Sequence, residues 1–221
     1  MRKTLSKYPP IQRVVLRFLA QGGPKSSYDI ASELGLHRSS TSKALRSLKK
    51  EGRVLVVERR RARSGARVEV YDISAHSLIE VLRSCRSMET AKYIINNHAG
   101  KLPLVLGKWD FFEEMGVEDI AFKLLRGFSY AGWAGEPFKN KPGTRKYEEE
   151  YSEYFQWSFY LSAYDMLSEE EFDRWMAAIS KDDEISGFIL SQIGKEKERL
   201  LEKARELGEL ERKIASALQR P

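Results

Sequence analysis

Two stretches of the sequence combine side chains that bind phosphate and contact nucleic-acid bases. The first has hydroxyl and cationic residues and no acidic residue before Glu51: Arg38, Ser39, Ser40, Ser42, Lys43, Arg46 and Lys50. The second has five arginines within nine residues: Arg59, Arg60, Arg61, Arg63 and Arg67. Hydroxyls bond nearby bases or phosphates, lysine and arginine bond guanine edges, and clustered arginines follow a DNA backbone or enter a narrow minor groove. Both stretches therefore predict contact with double-stranded DNA.

A helix must present the first set of side chains. Thr41, Leu45 and Leu48 recur at i, i+4 and i+7, which predicts a helix from Arg38 to Glu51 with one inward stripe. The hydroxyl and cationic residues then cover its outward face. An ordinary solvated helix face mixes both signs of charge, whereas this face has only positive charge, so we favour the DNA interpretation over a simple solvated surface.

Two further helices are predicted before this one. Apolar residues at helical spacing give the first, which Gly22-Gly23-Pro24 ends: Ile11, Val14, Val15, Phe18 and Leu19. The second begins at a capping Ser26 or Ser27, ends at Gly35, and directs four side chains inward: Tyr28, Ile30, Ala31 and Leu34. Only Gly35, Leu36 and His37 separate the second helix from the third, a spacing typical of a helix-turn-helix.

The arginine cluster falls in a predicted β-hairpin. β-Branched residues occur on both sides of a Ser64-Gly65 turn, in 54–57 and in 67–73. This placement crowds the arginines around the tip of the hairpin. A basic loop that serves only solubility is the alternative interpretation of the cluster.

The segment from Asp29 to Val54 resembles the helix-turn-helix core of winged-helix transcriptional regulators of the broad MarR, ArsR and PadR type. Leu34-Gly35-Leu36 matches the turn, and the residues from Leu48 to Gly52 match the end of the recognition helix. The resemblance implies that Ser39, Ser40, Ser42, Lys43 and Arg46 face the DNA groove and that Arg63 and its neighbours form the wing tip. His37 and Thr41 depart from the pattern, which more often has a serine or threonine cap and an aliphatic residue at these positions.

The charge distribution divides the chain into a basic front and an acidic rear. Residues 1–87 contain 19 Lys and Arg against 7 Asp and Glu, a balance of +12, whereas residues 88–221 contain 19 against 25, a balance of −6. Such a split is typical of a DNA-binding head joined to a separate body. We predict three domains: a winged helix over 1–75, an aromatic-rich helical domain over 76–183 and a long C-terminal helix over 184–221.

The predicted helical domain has an aromatic segment that allows three interpretations. From Tyr147 onward the segment contains many large rings: Tyr151, Tyr154, Phe155, Trp157, Phe159, Tyr160 and Tyr164. Aromatic walls with hydroxyl tips suit a pocket for a small-molecule effector. A helical core or a dimer contact is the plainer interpretation and the one we favour.

The C-terminal segment predicts a coiled coil. Apolar residues alternate in steps of three and four, with Lys197 and Glu211 as polar exceptions: Ile193, Leu200, Ala204, Leu207, Ile214 and Leu218. A helix with so little apolar surface must pack on its own body or on a second copy of the chain. We favour a homodimer, because two winged helices on a twofold axis contact adjacent half-sites.

The sequence offers no set of residues for catalysis. His37, His76 and His98 are scattered without metal-ligand spacing, and His76 and His98 are predicted on the surface. Cys85 is the only cysteine, which makes an intramolecular disulfide impossible and a thiolate zinc site implausible. We expect no enzyme activity, no metal and no cofactor. Without an apolar run of about 20 residues, no membrane association is expected and a cytoplasmic location is predicted.

Together these features predict a mainly α protein with a small β-hairpin wing: an N-terminal winged helix-turn-helix and an all-α C-terminal region that ends in a long coiled-coil helix. The predicted function is sequence-specific binding of double-stranded DNA by a homodimeric transcriptional regulator, with repression preferred. Two alternatives stay open, namely a nucleoid-type architectural protein with little sequence preference and a winged-helix module that binds another protein.

Overall fold

The computed structural model describes residues 8–61, 65, 67–127 and 138–218. It confirms a mainly helical chain with a small antiparallel sheet near the N-terminus. The elements follow in chain order: α1 (Pro10–Gly22), β1 (Lys25–Ser26), α2 (Ser27–Glu33), α3 (Arg38–Lys50), β2 (Val54–Arg61), β3 (Arg67–Ile73), α4 (Ala75–Arg83), α5 (Met88–His98), a 3-10 turn (Ala99–Lys101), α6 (Leu104–Gly107), α7 (Trp109–Glu114), α8 (Glu118–Gly127), α9 (Arg145–Met166), α10 (Glu169–Ile179) and α11 (Asp183–Leu218).

The sheet has the strand order β1-β3-β2, with both pairs antiparallel. The hairpin of β2 and β3 was predicted, but β1 was not. Lys25 lies opposite Tyr71 and Ser26 opposite Val70, so a two-residue strand closes the open edge of β3. So short a strand leaves no period-two pattern in the sequence, and only the pairing with β3 defines it.

Helix α1 ends at Gly22, as predicted, but its buried face differs from the predicted one. Val15, Leu16, Leu19 and Ala20 are fully buried, whereas Val14 is exposed. The reason is that α1 packs against α3 and also against α4 and α5, which centres the buried strip between Leu16 and Leu19.

Helix α2 begins with a capping box at Ser26. The Ser26 side chain accepts a hydrogen bond from the Asp29 backbone N–H, and the Asp29 carboxylate accepts one from the Ser26 backbone N–H. The helix buries Ile30 and Ala31 as predicted, but the inward placement of Tyr28 is wrong because this ring is 54% exposed. Gly35 then turns the chain with a φ of 62°, a conformation that favours glycine.

Three contacts join the winged helix to the residues that follow it, and a fourth, between His76 and Glu148, joins α4 to α9. A Cβ on Gly52, whose φ is 69°, would lie 2.4 Å from the carbonyl carbon of Pro142, so only glycine fits this approach. Arg53 forms a largely buried ion pair with Glu80 of α4 at 3.0 Å. The other two contacts involve histidines. Nδ1 of His76 lies 2.9 Å from Oε1 of Glu148, and Nε2 of His98 lies 2.9 Å from the Ala20 carbonyl oxygen.

Both of these histidines were predicted on the surface, and that prediction is wrong. His76 and His98 are buried because partners distant in the chain satisfy their ring nitrogens. Burial lowers the pKa of His98 below its ordinary value. Cys85 is also buried, which raises the pKa of its thiol and agrees with an inert role.

The aromatic segment forms helix α9 and supplies core packing, as favoured. The rings of Phe138 and Tyr151 stack with centroids 5.7 Å apart, and Phe155 and Phe159 are fully buried. Phe159 also contacts Trp175, whose ring lies against Phe112 at 5.0 Å. These rings therefore pack against one another and form a core.

The chain divides into two compact units, residues 1–175 and 176–221. The first unit contains the winged helix together with α4 to α9, and the second is dominated by α11. The functional boundaries at 75 and 183 stay predictions. Helix α11 extends over 36 residues without a break, as the sequence predicted for this segment.

Candidate nucleic-acid interface

Helix α3 begins at Arg38 because His37 caps its first turn. The His37 ring nitrogen Nδ1 accepts a hydrogen bond from the Ser39 backbone N–H at 3.4 Å and lies 2.7 Å from Ser39 Oγ. His37 therefore takes the role that a serine or threonine has in the resembling pattern. The first turn contains no acidic residue, so no carboxylate of this turn compensates the positive end of the helix dipole.

The buried side of α3 holds the helix in place. Thr41, Leu45 and Leu48 are fully buried, as predicted, and the Thr41 hydroxyl donates to the His37 carbonyl at 3.3 Å. This bond explains the departure at Thr41, because a buried hydroxyl is tolerated where a backbone carbonyl satisfies it. The inward stripe fixes which side chains must face outward.

The outward side of α3 carries the predicted site residues. Arg38, Ser39, Lys43, Arg46 and Lys50 are exposed. At 100° per residue, Ser39, Lys43, Arg46 and Lys50 fall within a narrow sector opposite Leu48. Ser40 and Ser42 are partly buried and lie at the two edges of this sector.

Two of the arginines have defined side-chain contacts. The Arg38 guanidinium lies 4.2 Å from the ring centre of Tyr28, a cation–π contact that joins α2 to the start of α3. Arg46 folds back on its own helix, with Nε donating to the Ser42 carbonyl at 3.4 Å. This contact explains the exposure of Tyr28, because its ring lies against the Arg38 guanidinium.

The described wing arginines lie at the tip end of the hairpin, as predicted, because Arg61 and Arg67 form the last strand pair before the turn. Arg59, Arg60 and Arg61 belong to β2, where they pair with Glu69, Val68 and Arg67 of β3. Because side chains alternate along a strand, Arg59, Arg61 and Arg67 share one face and Arg60 lies on the other. A bulge between Val56 and Glu58 sets this alternation. Arg63 lies outside the described residues.

One acidic residue connects α3 with the wing. Glu69 accepts hydrogen bonds from Lys49 Nζ of α3 at 3.1 Å and from the Tyr71 hydroxyl at 2.8 Å. Its other oxygen lies 3.4 Å from Arg59 Nε of β2. Glu69 therefore holds a lysine of α3 and an arginine of the wing on the same side of the hairpin.

The pKa shifts of Glu69 and Tyr71 agree with these contacts. The Tyr71 and Lys49 hydrogen bonds lower the pKa of Glu69, so its carboxylate stays ionised beside the cations. Burial raises the pKa of Tyr71 to about 12, the Glu69 charge adds to that rise, and the nearby charge of Arg46 opposes it.

The structure therefore brings Lys49 of α3 and Arg59 of the wing to one surface around Glu69. Sequence reasoning missed Lys49, Glu69 and Tyr71 as members of this surface. Lys49 comes three residues after Arg46, so helical spacing alone could have placed the two side chains next to each other on α3. Glu69 and Tyr71 gave no such signal, because their contacts cross from one element to another.

Metal sites and membrane spans do not occur in the part of the chain that the structure describes. Nowhere in 8–61, 65, 67–127 and 138–218 do three or more His, Cys, Asp or Glu side chains come together as metal ligands. Within the same ranges, every helix is too short or too polar to span a bilayer.

Comparison with known proteins bears on the N-terminal part of the chain. Curated proteins gave no match. The model of the MarR family matches residues 7–67, which include α1 to α3, the turn and the first strand of the wing. This family consists of DNA-binding transcription regulators and not of enzymes. The N-terminal third of the chain is a winged helix-turn-helix of the MarR family.

Proposed function

We propose that the protein is a transcriptional regulator that binds double-stranded DNA sequence-specifically as a homodimer and acts as a repressor. In this proposal α3 enters the major groove, where Ser39, Lys43 and Arg46 meet base edges and phosphates. The wing follows the adjacent backbone or minor groove through Arg59, Arg61 and Arg67. Arg60 and Arg63 stay predicted contacts, as do Arg38, Ser40, Ser42 and Lys50.

The single observation that carries the proposal is the cluster around Glu69. Its contacts with Lys49 and Arg59 hold cations of α3 and of the wing beside each other on one side of the hairpin. A solubility role for the arginines would not require this arrangement. An extended surface with cations on two elements instead fits the regularly spaced phosphates of a duplex.

Several finer parts of the proposal rest on the sequence and on the family. Homodimerisation places two recognition helices on one DNA site, and the exposed apolar face of α11 supports it. A small-molecule effector remains part of the proposal. The α9 rings that could have lined its pocket pack against one another in the core. A cytoplasmic location is proposed with the DNA-binding role.

Selection of binding sites from random duplex DNA, followed by footprinting of the enriched sites, tests the proposal. We expect a palindromic consensus with two half-sites and a footprint with defined ends. A pool without consensus and a footprint that spreads would instead favour the architectural alternative. Absence of any salt-sensitive duplex binding would favour the protein-interaction alternative.

A further inference from the structure

Helix α11 exposes an apolar stripe along most of its length. Leu190, Ile193, Leu200, Leu207 and Ile214 are each between 50% and 70% exposed. In a heptad assignment, Ile193, Leu200, Leu207 and Ile214 take every d position of the segment. Apolar residues in four successive heptads indicate a helix that packs along this stripe against another helix.

The a positions of the same stripe contain two charged residues. These positions are Leu190, Lys197, Ala204, Glu211 and Leu218. Lys197 comes seven residues before Ala204, and Glu211 comes seven residues after it. The stripe therefore has opposite charges placed symmetrically about its own centre, which makes it complementary to a reversed copy of itself. That symmetry favours a second copy of α11 as the occupant of the stripe.

A parallel pair of these helices would place like charges together. In a parallel dimer each a residue faces the same residue of the second copy, so Lys197 would face Lys197 and Glu211 would face Glu211. Salt bridges between g and e positions, which set the orientation of many parallel dimers, have no charged e residue to use. The e positions are Gly194, Leu201, Gly208 and Ala215.

An antiparallel pair removes this conflict. Two registers centre the antiparallel pair near Ala204. In both of them Lys197 lies within about one helical turn of Glu211 of the second copy. The twofold axis repeats this attraction at the other end of the pair. On the flank, Leu201 then lies near Gly208 of the second copy. Apart from its chain neighbours and the backbone of its own helix, no heavy atom of the described residues comes within 4 Å of a Cβ built at Gly208, so the space beside this glycine is open to the leucine.

We propose that α11 forms an antiparallel coiled coil with α11 of a second copy, centred near Ala204 and oriented by attraction between Lys197 and Glu211. This inference rests on the homodimer in the proposed function and adds its geometry. The two chains enter the pair at opposite ends, with their Asp183 residues roughly 60 Å apart from the rise per residue. In a parallel pair the two Asp183 residues would lie side by side.

Charge exchange within the full-length chain tests the orientation. Sedimentation equilibrium is measured for the wild type, Lys197→Glu, Glu211→Lys and the Lys197→Glu/Glu211→Lys double variant. We expect each single variant to weaken self-association at least about tenfold, because it places like charges together, and the double variant to restore it. These residues are exposed in the chain, so the substitutions leave its internal packing intact.

A distance measurement provides the second readout. In a Cys85→Ser background, a spin label at Ile193→Cys is expected to give an intersubunit distance of roughly 25–40 Å, against less than about 20 Å in a parallel pair. A short distance, or single and double variants that associate equally, would overturn the antiparallel pairing and leave the homodimer standing. A monomeric wild type would overturn both, and duplex binding measured on the same samples reports separately on the winged helix.

Discussion

Helices α3 and α11 both have an exposed face, but the two faces differ in chemistry. The outward face of α3 is cationic, and its inward face is fixed by Thr41, Leu45 and Leu48. Helix α11 instead exposes an apolar stripe. A cationic face is well hydrated without a partner, whereas an apolar face gains free energy only when it leaves water. Contact through α3 should therefore depend strongly on salt, and contact through α11 should depend on it less, because most of the surface that α11 buries is apolar.

The largest effect is expected from a charge in the centre of the α11 stripe. Leu207→Asp should weaken self-association at least about 100-fold, because each dimer loses two buried leucines and would have to bury two carboxylates. Leu207 is 59% exposed in the chain, so the substitution costs little internal packing. Sedimentation equilibrium measures the change. Ser191→Asp, which adds the same charge to an exposed position outside the stripe, is the matched control, and an equal loss in both variants would refute the special role of the stripe.

The next effect concerns the cationic face. Arg46→Ala should lower affinity for the selected DNA site about 10- to 100-fold and change affinity for random duplex much less, because a base contact carries sequence preference. Fluorescence anisotropy with labelled duplexes measures both affinities. Arg145→Ala is the control for loss of one surface charge, since that side chain pairs with Glu149 on α9. Equal losses on selected and random DNA would contradict direct base contact by Arg46.

A smaller and opposite effect is expected at Glu69. Glu69→Gln removes the carboxylate that holds Lys49 and Arg59, which frees both cations for phosphate. Affinity for every duplex should rise a few-fold, with a salt dependence steeper by about one unit of slope. Glu33→Gln, which removes a carboxylate paired with Lys25, is the matched control. Weaker DNA binding by Glu69→Gln would mean that Glu69 serves to position the cations and not to restrain them.

The smallest expected effect is a pH dependence of the free energy of unfolding, which the first unit should show and the α11 contact should not. All three histidines precede residue 99, and α11 contains none. Because burial lowers the pKa of His98, the unfolded chain takes up a proton more readily than the folded chain as the pH falls. The free energy of unfolding of the first unit should therefore decrease below a pH of about 6.5, the ordinary histidine value.

Chemical denaturation between neutral and mildly acidic pH, followed by tryptophan fluorescence, measures this decrease. His98→Gln keeps a donor for the Ala20 carbonyl and should flatten the pH dependence. The same pH dependence in His98→Gln and the wild type would exclude His98 as the cause. Self-association through α11 should not follow this titration.

Local patterns predicted much of the fold. The spacing of Thr41, Leu45 and Leu48 predicted which face of α3 is buried. It therefore also predicted the outward face, because a helix of this kind packs one face on the rest of the domain. The β-branched runs and the Ser64-Gly65 turn gave the hairpin. These features depend on residues close together in the chain, so the sequence contains the information directly.

Contacts between distant segments were not predictable in the same way. His76 and His98 are buried only because Glu148 and Ala20 meet their ring nitrogens from other helices. Tyr28 turns outward because Arg38 covers its ring. The cluster around Glu69 likewise needs the register of β2 with β3 before Arg59 and Lys49 come together. In each case the position of the side chain depends on tertiary structure.

The salt dependence of duplex binding tests most directly whether α3 and the wing form one DNA-binding surface. Binding constants are measured from low to moderate salt for the wild type and for Arg59→Ala/Arg61→Ala, on selected and random duplexes. The wild type should bind more weakly as salt rises. The wing variant should lose affinity equally on both duplexes, with a slope flatter by about one unit for each phosphate that the removed arginines neutralise in the wild type. No duplex binding by the wild type at low salt, or an unchanged slope in the wing variant, would contradict this account.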